Sequence, residues 1–350
     1  MGFSVCFVSE TSRDRPILDP SVRYRCFHPA EELARRGITT AVYSAAQFYQ
    51  TPNYDFDAYI FHRPSSNRAA FESVIDRLKT LKRVLVADYD DLVFGGAEIA
   101  LNSSSVKNQT MAPQQAILAY EKNLVALRAF STITTSTSSL AAKVRELNPG
   151  SSVTIVANRI PESVMSLHIE GRTYRIQKPP HRIGYFAGTK SHDADIAVIV
   201  EVLHRVLLEQ PRTDFLVVGP VALPFSLSAL QNVHVMDAIG YWRVPGLMSD
   251  CATVIAPLED SGFNQCKSRV KFLEAALAGC RLIASPIPDM KELGEERLVL
   301  PSSLNDWYEA LSLRLEADAQ RDLANANFDY LYQNCHAARS AEQIVQVVGG

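Results

Sequence analysis

Several features that would assign this chain a function at once are missing from it. None of its six cysteines (Cys6, Cys26, Cys251, Cys266, Cys280, Cys335) forms a CxxC pair, and none is spaced with histidine as in a zinc site. They read as scattered small hydrophobes of a reducing compartment. No segment reaches the ~18 unbroken apolar residues of a spanning helix. The start, MGFSVCFVSE, lacks the basic opening and long apolar run of a secretion signal and reads as a first strand. An excess of basic charge is also absent. The 35 basic and 38 acidic residues leave a net charge of −3, which argues against a nucleic-acid partner. No repeat of 20–50 residues recurs. A cytoplasmic protein is expected, with peripheral contact at the inner face of a membrane left open.

What is present is a long chain rich in core formers. Its 350 residues, 47% of them hydrophobic, suffice for about two domains. Strand-like runs alternate with helix-like ones. Strands are expected at 3–8, 39–44, 58–62, 83–88, 131–136 and 152–158, with helices at 28–37, 68–80, 113–129 and 137–147. A polar run with two prolines, 169–182, reads as a linker. A second set follows, with strands at 182–188, 214–219, 233–238, 252–257 and 281–285. Helices are expected at 194–209 and 267–279 and from about 304 onward. Alternation of this kind predicts an α/β chain with parallel sheets. Two successive sets predict a cleft between them, with ligands beyond the carboxyl ends of the strands. The polar stretch 95–112 reads as a long loop of the lid or binding kind.

Residues 259–279, EDSGFNQCKSRVKFLEAALAG, carry the sharpest chemical signal. On one continuous helix, Lys271 lies about 40° from Lys267 and Glu274 about 20° the other way, so the three share a face. Two cations at a helix start oppose the macrodipole unless an anion sits there, and a diphosphate would resolve the conflict. The alternative is a solvated face with Lys271 and Glu274 as an ordinary i,i+3 pair. The loop before them brings Gly262, Phe263, Asn264 and Ser268 to where a ligand would approach backbone. GYFAGTKSHDAD, 184–195, is neither a GxGxxG nor a P-loop. Gly188 and Thr189 nevertheless suit a phosphate, while Asp193 reads as a helix cap.

The first half offers a second group. Asp88-Tyr89-Asp90-Asp91 ends a strand, and its DxD spacing could hold a metal on a diphosphate. The preferred reading has no metal and one aspartate at an acceptor cleft while the others cap or are solvated, with Asp91 the catalytic candidate and Asp88 the acceptor-binding one. His62 and Arg63 end another strand, where a histidine could orient a substrate or be a satisfied structural residue. Arg23 and Arg25 read as a stretch before the first helix, either holding an anionic acceptor or solvated.

Two stretches, IGYFAGTKSHDADIAVIVEVLHRVLLEQPRTDFLVVG and IAPLEDSGFNQCKSRVKFLEAALAGCRLIAS, resemble the nucleotide-sugar half of GT-B glycosyltransferases of the family 4 type (glycosyl transferases group 1). PSVRYRCFHPAEELARRG, IFHRP and VADYDDLVF are similar to the acceptor half of bacterial polysaccharide-type members. The resemblance implies two Rossmann-like domains: 1–170 for the acceptor, 171–330 for the donor, with 331–350 crossing back onto the first. It implies transfer of a hexosyl or deoxyhexosyl group from a UDP-, GDP- or TDP-linked sugar, with retention and without a required cofactor. The acceptor would be a glycan or lipid-linked glycan of surface polysaccharide assembly. Glu274, in EAALAG, matches the family's ribose-binding glutamate. The glutamate expected eight residues earlier is Cys266, and the usual arginine after Gly188 is Thr189. Lys267 and Lys271 would then supply the positive charge, with His62 and Asp91 beside the reacting groups. A sugar-nucleotide epimerase or hydrolase of the same fold, and a silent sugar-nucleotide-binding partner, are the alternatives.

Overall fold

The computed structural model describes residues 2–11, 13, 15–172, 181–188 and 193–349. These fall into two compact units. The first comprises 1–162, the short segment Gln265–Ser268 and the end of the chain from His336, and the second holds 163–264 and 269–335.

The first unit is built on a six-stranded sheet: β1 (Ser4–Ser9), β2 (Thr39–Ser44), β3 (Ala58–His62), β4 (Val84–Tyr89), β5 (Thr132–Thr135) and β6 (Ser152–Ile155). Its order is β2-β1-β3-β4-β5-β6, and every pairing is parallel. Parallel strands covered on both faces read as continuous apolar runs, and all five residues of AYIFH in β3 are buried. One face carries Val5, Phe7, Ile60 and Val86, packed with Val22, Cys26 and Leu33. Ala341, Ile344 and Val348 of the closing helix Ala338–Gly349 complete this cluster. The chain runs from β1 outward to β2, then returns to place β3 on the other side of β1. The reversal leaves a crevice between the carboxyl ends of β1 and β3, where open α/β sheets take ligands.

The second unit has five parallel strands, β7 (Arg182–Phe186), β8 (Asp214–Val218), β9 (Val233–Met236), β10 (Thr253–Ala256) and β11 (Arg281–Ala284). Their order is β11-β10-β7-β8-β9, so the reversal falls between β7 and β10. Tyr185, Leu203, Val206, Phe215, Val217, Ile255 and Trp307 are among its core. Gly219, at φ 120°, follows β8, and a Cβ there would lie 2.0 Å from the carbonyl oxygen of Ala187. Only glycine lets these two strand ends approach so closely.

Four expectations change. The stretch around Arg23 and Arg25 is helical: Asp19 caps a helix from Pro20, which continues through a π turn, Arg23–Phe27, to Arg35. The 95–112 stretch contains two short helices, Ala97–Leu101 and Ser104–Lys107, seated through Ala100, Ala116 and Tyr120. The expected linker begins as helix, Glu162–Arg172, and residues 173–180 lie outside the described ones. The helix expected from 267 starts at Val270, after a 3-10 turn over Asn264–Cys266. Among the described residues no helix is long and apolar enough to cross a membrane.

Candidate functional site

Each unit presents a cluster at its own strand reversal. In the first, Ser9 and His62 stand opposite each other at the ends of β1 and β3, and His62 opposes Asp88 of β4. The His62 ring is buried and both of its nitrogens are engaged. Nδ1 lies 2.7 Å from the Ser9 hydroxyl; Nε2 lies 3.0 Å from Asp90 Oδ1 and 3.0 Å from the Ser21 hydroxyl. A carboxylate only accepts, so Nε2 carries a proton and donates it to Asp90. Ser21 in turn donates to the other Asp90 oxygen. It is held there because Asp19 caps its backbone N–H at 3.0 Å and is itself fixed by the Thr11 hydroxyl at 2.8 Å.

Arg63 follows at φ 51°, the left-handed region that costs a non-glycine residue about 1–3 kcal/mol. Its backbone N–H donates to the Asp88 carbonyl at 2.8 Å. Its Nε donates to Asp90 Oδ1 at 2.7 Å and its Nη2 to Asp91 Oδ2 at 2.8 Å. Burial would raise the Asp90 carboxyl, but Arg63 and His62 outweigh it and hold it well below the usual range. Burial pushes Asp91 up, and the Asp90 charge adds to this against Arg63 and Lys267. The Arg63 and Asp91 side chains are 23% and 29% exposed, against 1% for His62 and 9% for Asp90. A ligand can therefore touch Arg63 and Asp91 while His62 stays behind them.

Arg25 and Asp88 are corrected from acceptor-binding to structural. They form a buried bidentate pair, with Arg25 Nε 2.9 Å from Asp88 Oδ2 and the Thr134 hydroxyl 2.6 Å from Asp88 Oδ1. Arg25 also donates to Asn158 Oδ1 at 3.0 Å. Arg23 is buried as well and donates to the Ile17 carbonyl at 2.9 Å, so it too is removed from the acceptor set. Asp88 is thus engaged by Arg25 and Thr134, and Asp90 by His62, Arg63 and Ser21. Among the described residues no group of three or more His, Cys, Asp and Glu could hold a metal ion.

Gln265–Ser268 belongs to the first unit and is pinned near both ends. Thr137 donates its hydroxyl to the Cys266 carbonyl at 3.0 Å, and Asn158 Nδ2 donates to Ser268 Oγ at 2.9 Å. The Cys266 side chain is buried, and burial pushes its thiol up to about 11. A glutamate could not sit in that place without burying its charge. Lys267, between the pins, acts electrostatically on Asp91.

In the second unit, Lys271 donates to Glu274 Oε2 at 2.7 Å and to the Phe186 carbonyl, at the end of β7, at 3.2 Å. Lys271 and Glu274 thus face the strand reversal as an i,i+3 pair, and Glu274 Oε1 makes no hydrogen bond among the described residues. Lys267 does not share their face, because the helix begins after it. Asp289, from 20 residues further on, accepts the Arg269 backbone N–H at 2.6 Å and its side chain at 2.7 and 3.0 Å. This carboxylate caps the helix start, where an anion was expected. Ahead of it the loop closes on Asp195. Asp195 Oδ1 accepts from the Glu259 backbone N–H at 3.1 Å and from Asn264 Nδ2 at 3.0 Å, and Asn264 Nδ2 also reaches the Glu259 carbonyl. Asn264 Oδ1 is buried without a partner. A Cβ at Gly188 or Gly262 would meet nothing within 4 Å, and Phe263 beside Gly262 is half-buried. Thr189 lies outside the described residues.

Ser9, Ser21, Asp90, Asp195 and Asp289 were missed in the sequence. Asp19-Pro20 was a readable helix-start signal that would have placed Ser21. Nothing local marks Asp289.

No family model and no curated protein matches the chain. Solved structures do. HepE from Anabaena, in complex with UDP and glucose, is similar over 99% of this chain and 100% of its own, at 13% identity and a TM-score of 0.64. The UDP-forming trehalose-phosphate synthase of Burkholderia vietnamiensis gives 99% and 97%, 10% identity and 0.65. WaaG, a glycosyltransferase involved in lipopolysaccharide biosynthesis, gives 99% and 100%, 14% identity and 0.58. At these identities the likeness establishes a fold.

Proposed function

We propose that this chain, whose fold is that of the GT-B glycosyltransferases, moves a sugar from a nucleotide-diphosphate sugar to a glycan or glycolipid acceptor. The observation that carries the donor half is the pairing of Lys271 with Glu274 at the carboxyl end of β7. One residue offers a cation to a diphosphate, the other an open carboxylate oxygen to ribose hydroxyls. Gly188 and Gly262 leave open space there, and Asn264 Oδ1 is an empty acceptor for a sugar hydroxyl. Thr189 and Phe263 complete the proposed donor set. The UDP in the HepE structures supports a uridine donor, and WaaG supports surface polysaccharide assembly.

The reaction we assign is retaining. The acceptor hydroxyl oxygen bonds to the anomeric carbon as that carbon's bond to the diphosphate oxygen breaks. The electron pair leaves with the diphosphate, and the hydroxyl proton follows to a departing phosphate oxygen. Lys271 neutralises the leaving charge, which is where fixed positive groups lower a barrier most. Lys267 adds positive charge beside Asp91. The 1–170 part is the acceptor half and 171–330 the donor half of this reading. A nucleotide-sugar donor and a lipid-linked acceptor would place the protein in the cytoplasm, at the inner face of the membrane. Cys266 does not favour a silent partner, because its side chain is buried in the first unit.

The test is thermal melting of the full chain with UDP, GDP, TDP, CDP and ADP in turn, with and without EDTA. A ligand at 100 times its Kd stabilises the folded state by roughly 2.7 kcal/mol. A shift with one diphosphate, indifferent to EDTA, is expected. Stability unchanged by all five would sink the donor site.

A further inference from the structure

The first unit's cluster is more elaborate than a fold needs, and its two partly exposed members have one open atom each. Arg63 uses Nε on Asp90 and Nη2 on Asp91, and Asp91 uses Oδ2 on Arg63. Among the described residues, Arg63 Nη1 and Asp91 Oδ1 make no hydrogen bond. A spare donor and a spare acceptor therefore belong to one ion-paired couple whose side chains are 23% and 29% exposed. That is the pattern a sugar hydroxyl or a vicinal diol satisfies, since each hydroxyl both donates and accepts. The surrounding charge selects among acceptors. Three carboxylates, Asp19, Asp90 and Asp91, act electrostatically on Arg63, and Lys267 acts on Asp91. An acidic sugar or phosphate is disfavoured there, and an uncharged glycoside is not.

The pair is held from behind. Asp90 takes His62 Nε2–H and Arg63 Nε on one oxygen and the Ser21 hydroxyl on the other. His62 is locked in turn by Ser9, and Arg63 is kept in the left-handed region by its N–H bond to Asp88.

We propose that Arg63 and Asp91 form a preorganised clamp for the hydroxyls of an uncharged sugar acceptor, and that Asp90, braced by His62 and Ser21, is its positioning residue. This deepens the acceptor half of the proposed function and rests on it.

The test is saturation-transfer NMR on the full chain, with the methyl α-glycosides of glucose, galactose and mannose and with methyl α-glucuronoside as the charged probe. At least one neutral glycoside is expected to give a signal and the glucuronoside none. Asp91→Asn and Asp90→Asn should each weaken glycoside binding roughly tenfold, the worth of a hydrogen bond to a charged group. Ser21→Ala, which removes one hydroxyl, covers the case in which Asp90→Asn does not fold, and should weaken binding about threefold. Arg63→Asn, a residue that tolerates the left-handed backbone, should lose the signal while still melting cooperatively. A stronger signal from the glucuronoside would overturn the proposal, as would silence from all three neutral glycosides. So would a folded Asp90→Asn or Ser21→Ala protein with full glycoside binding. Melting with the nucleoside diphosphates separates the two readings. Its failure sinks the donor site alone, and loss of the glycoside signal with an intact diphosphate shift sinks the clamp alone.

Discussion

The two strand reversals differ in how much of their chemistry is already satisfied. At the β1/β3 reversal the polar groups are cross-braced: His62, Asp90, Ser9 and Ser21 spend nearly every donor and acceptor on each other. At the β7/β10 reversal, among the described residues, Lys271 and Glu274 hold only each other and one carbonyl, and Asn264 keeps a buried acceptor empty. The first is built before any ligand arrives; the second is left for a ligand to complete. Preorganisation suits a weakly held acceptor, whose few hydroxyls cannot also meet an ordering cost. A nucleotide diphosphate brings enough charge and hydrogen-bonding capacity to organise its own site.

The comparison breaks hardest behind the first cluster. Asp88→Ala would leave the Arg25 guanidinium buried without its carboxylate, and should cost about 3–5 kcal/mol of unfolding free energy in urea. A loss under about 1 kcal/mol would mean that Arg25 has other means of solvation, and would return Arg25 and Asp88 to the list of ligand-facing residues. The second cluster should respond in the opposite sense. Lys271 and Glu274 are partly exposed, so Lys271→Ala should cost under about 1 kcal/mol of stability. The same change should abolish the melting shift given by the active diphosphate and collapse turnover. Glu274→Gln should raise the donor KM and leave kcat less affected. Normal turnover in folded Lys271→Ala protein would remove the lysine from catalysis.

The same contrast explains what the sequence disclosed. The strands were legible because parallel strands buried on both faces are unbroken apolar runs, as in SVCFVS and AYIFH. His62, Arg63 and Asp91 were legible as polar residues directly after such runs. Their division of labour was not. That His62 braces while Arg63 and Asp91 are open depends on Ser9 and Ser21, 53 and 41 residues from His62 in the chain. Arg25 looked like a solvated arginine because its partner is 63 residues away. The helix from Val270 was read three residues too long because the periodicity of KSRVKFLEAAL continues through Lys267. What ends it is the Asp289 carboxylate on the Arg269 N–H, a contact with no local signature.

The smallest effect sharpens the comparison inside the first cluster, where the two adjacent carboxylates are shifted in opposite directions. Asp90 is held below the ordinary 3.8, so it adds stability that is present above that value and lost as pH falls through its folded-state value. Asp91 is raised above 3.8 by burial and by Asp90, so its ionisation costs stability as pH rises from 3.8 through its folded-state value. Asp91→Asn removes that cost. The variant should melt slightly above the wild type at pH 7, with the difference closing as the pH is lowered towards 4. The clamp should meanwhile be weakened, because the open carboxylate oxygen is gone. A variant that melts lower than wild type at pH 7 would show that the Arg63–Asp91 ion pair outweighs the burial of Asp91. The carboxylate would then be a brace like Asp90, and the two halves of the molecule would differ less than their hydrogen bonds suggest.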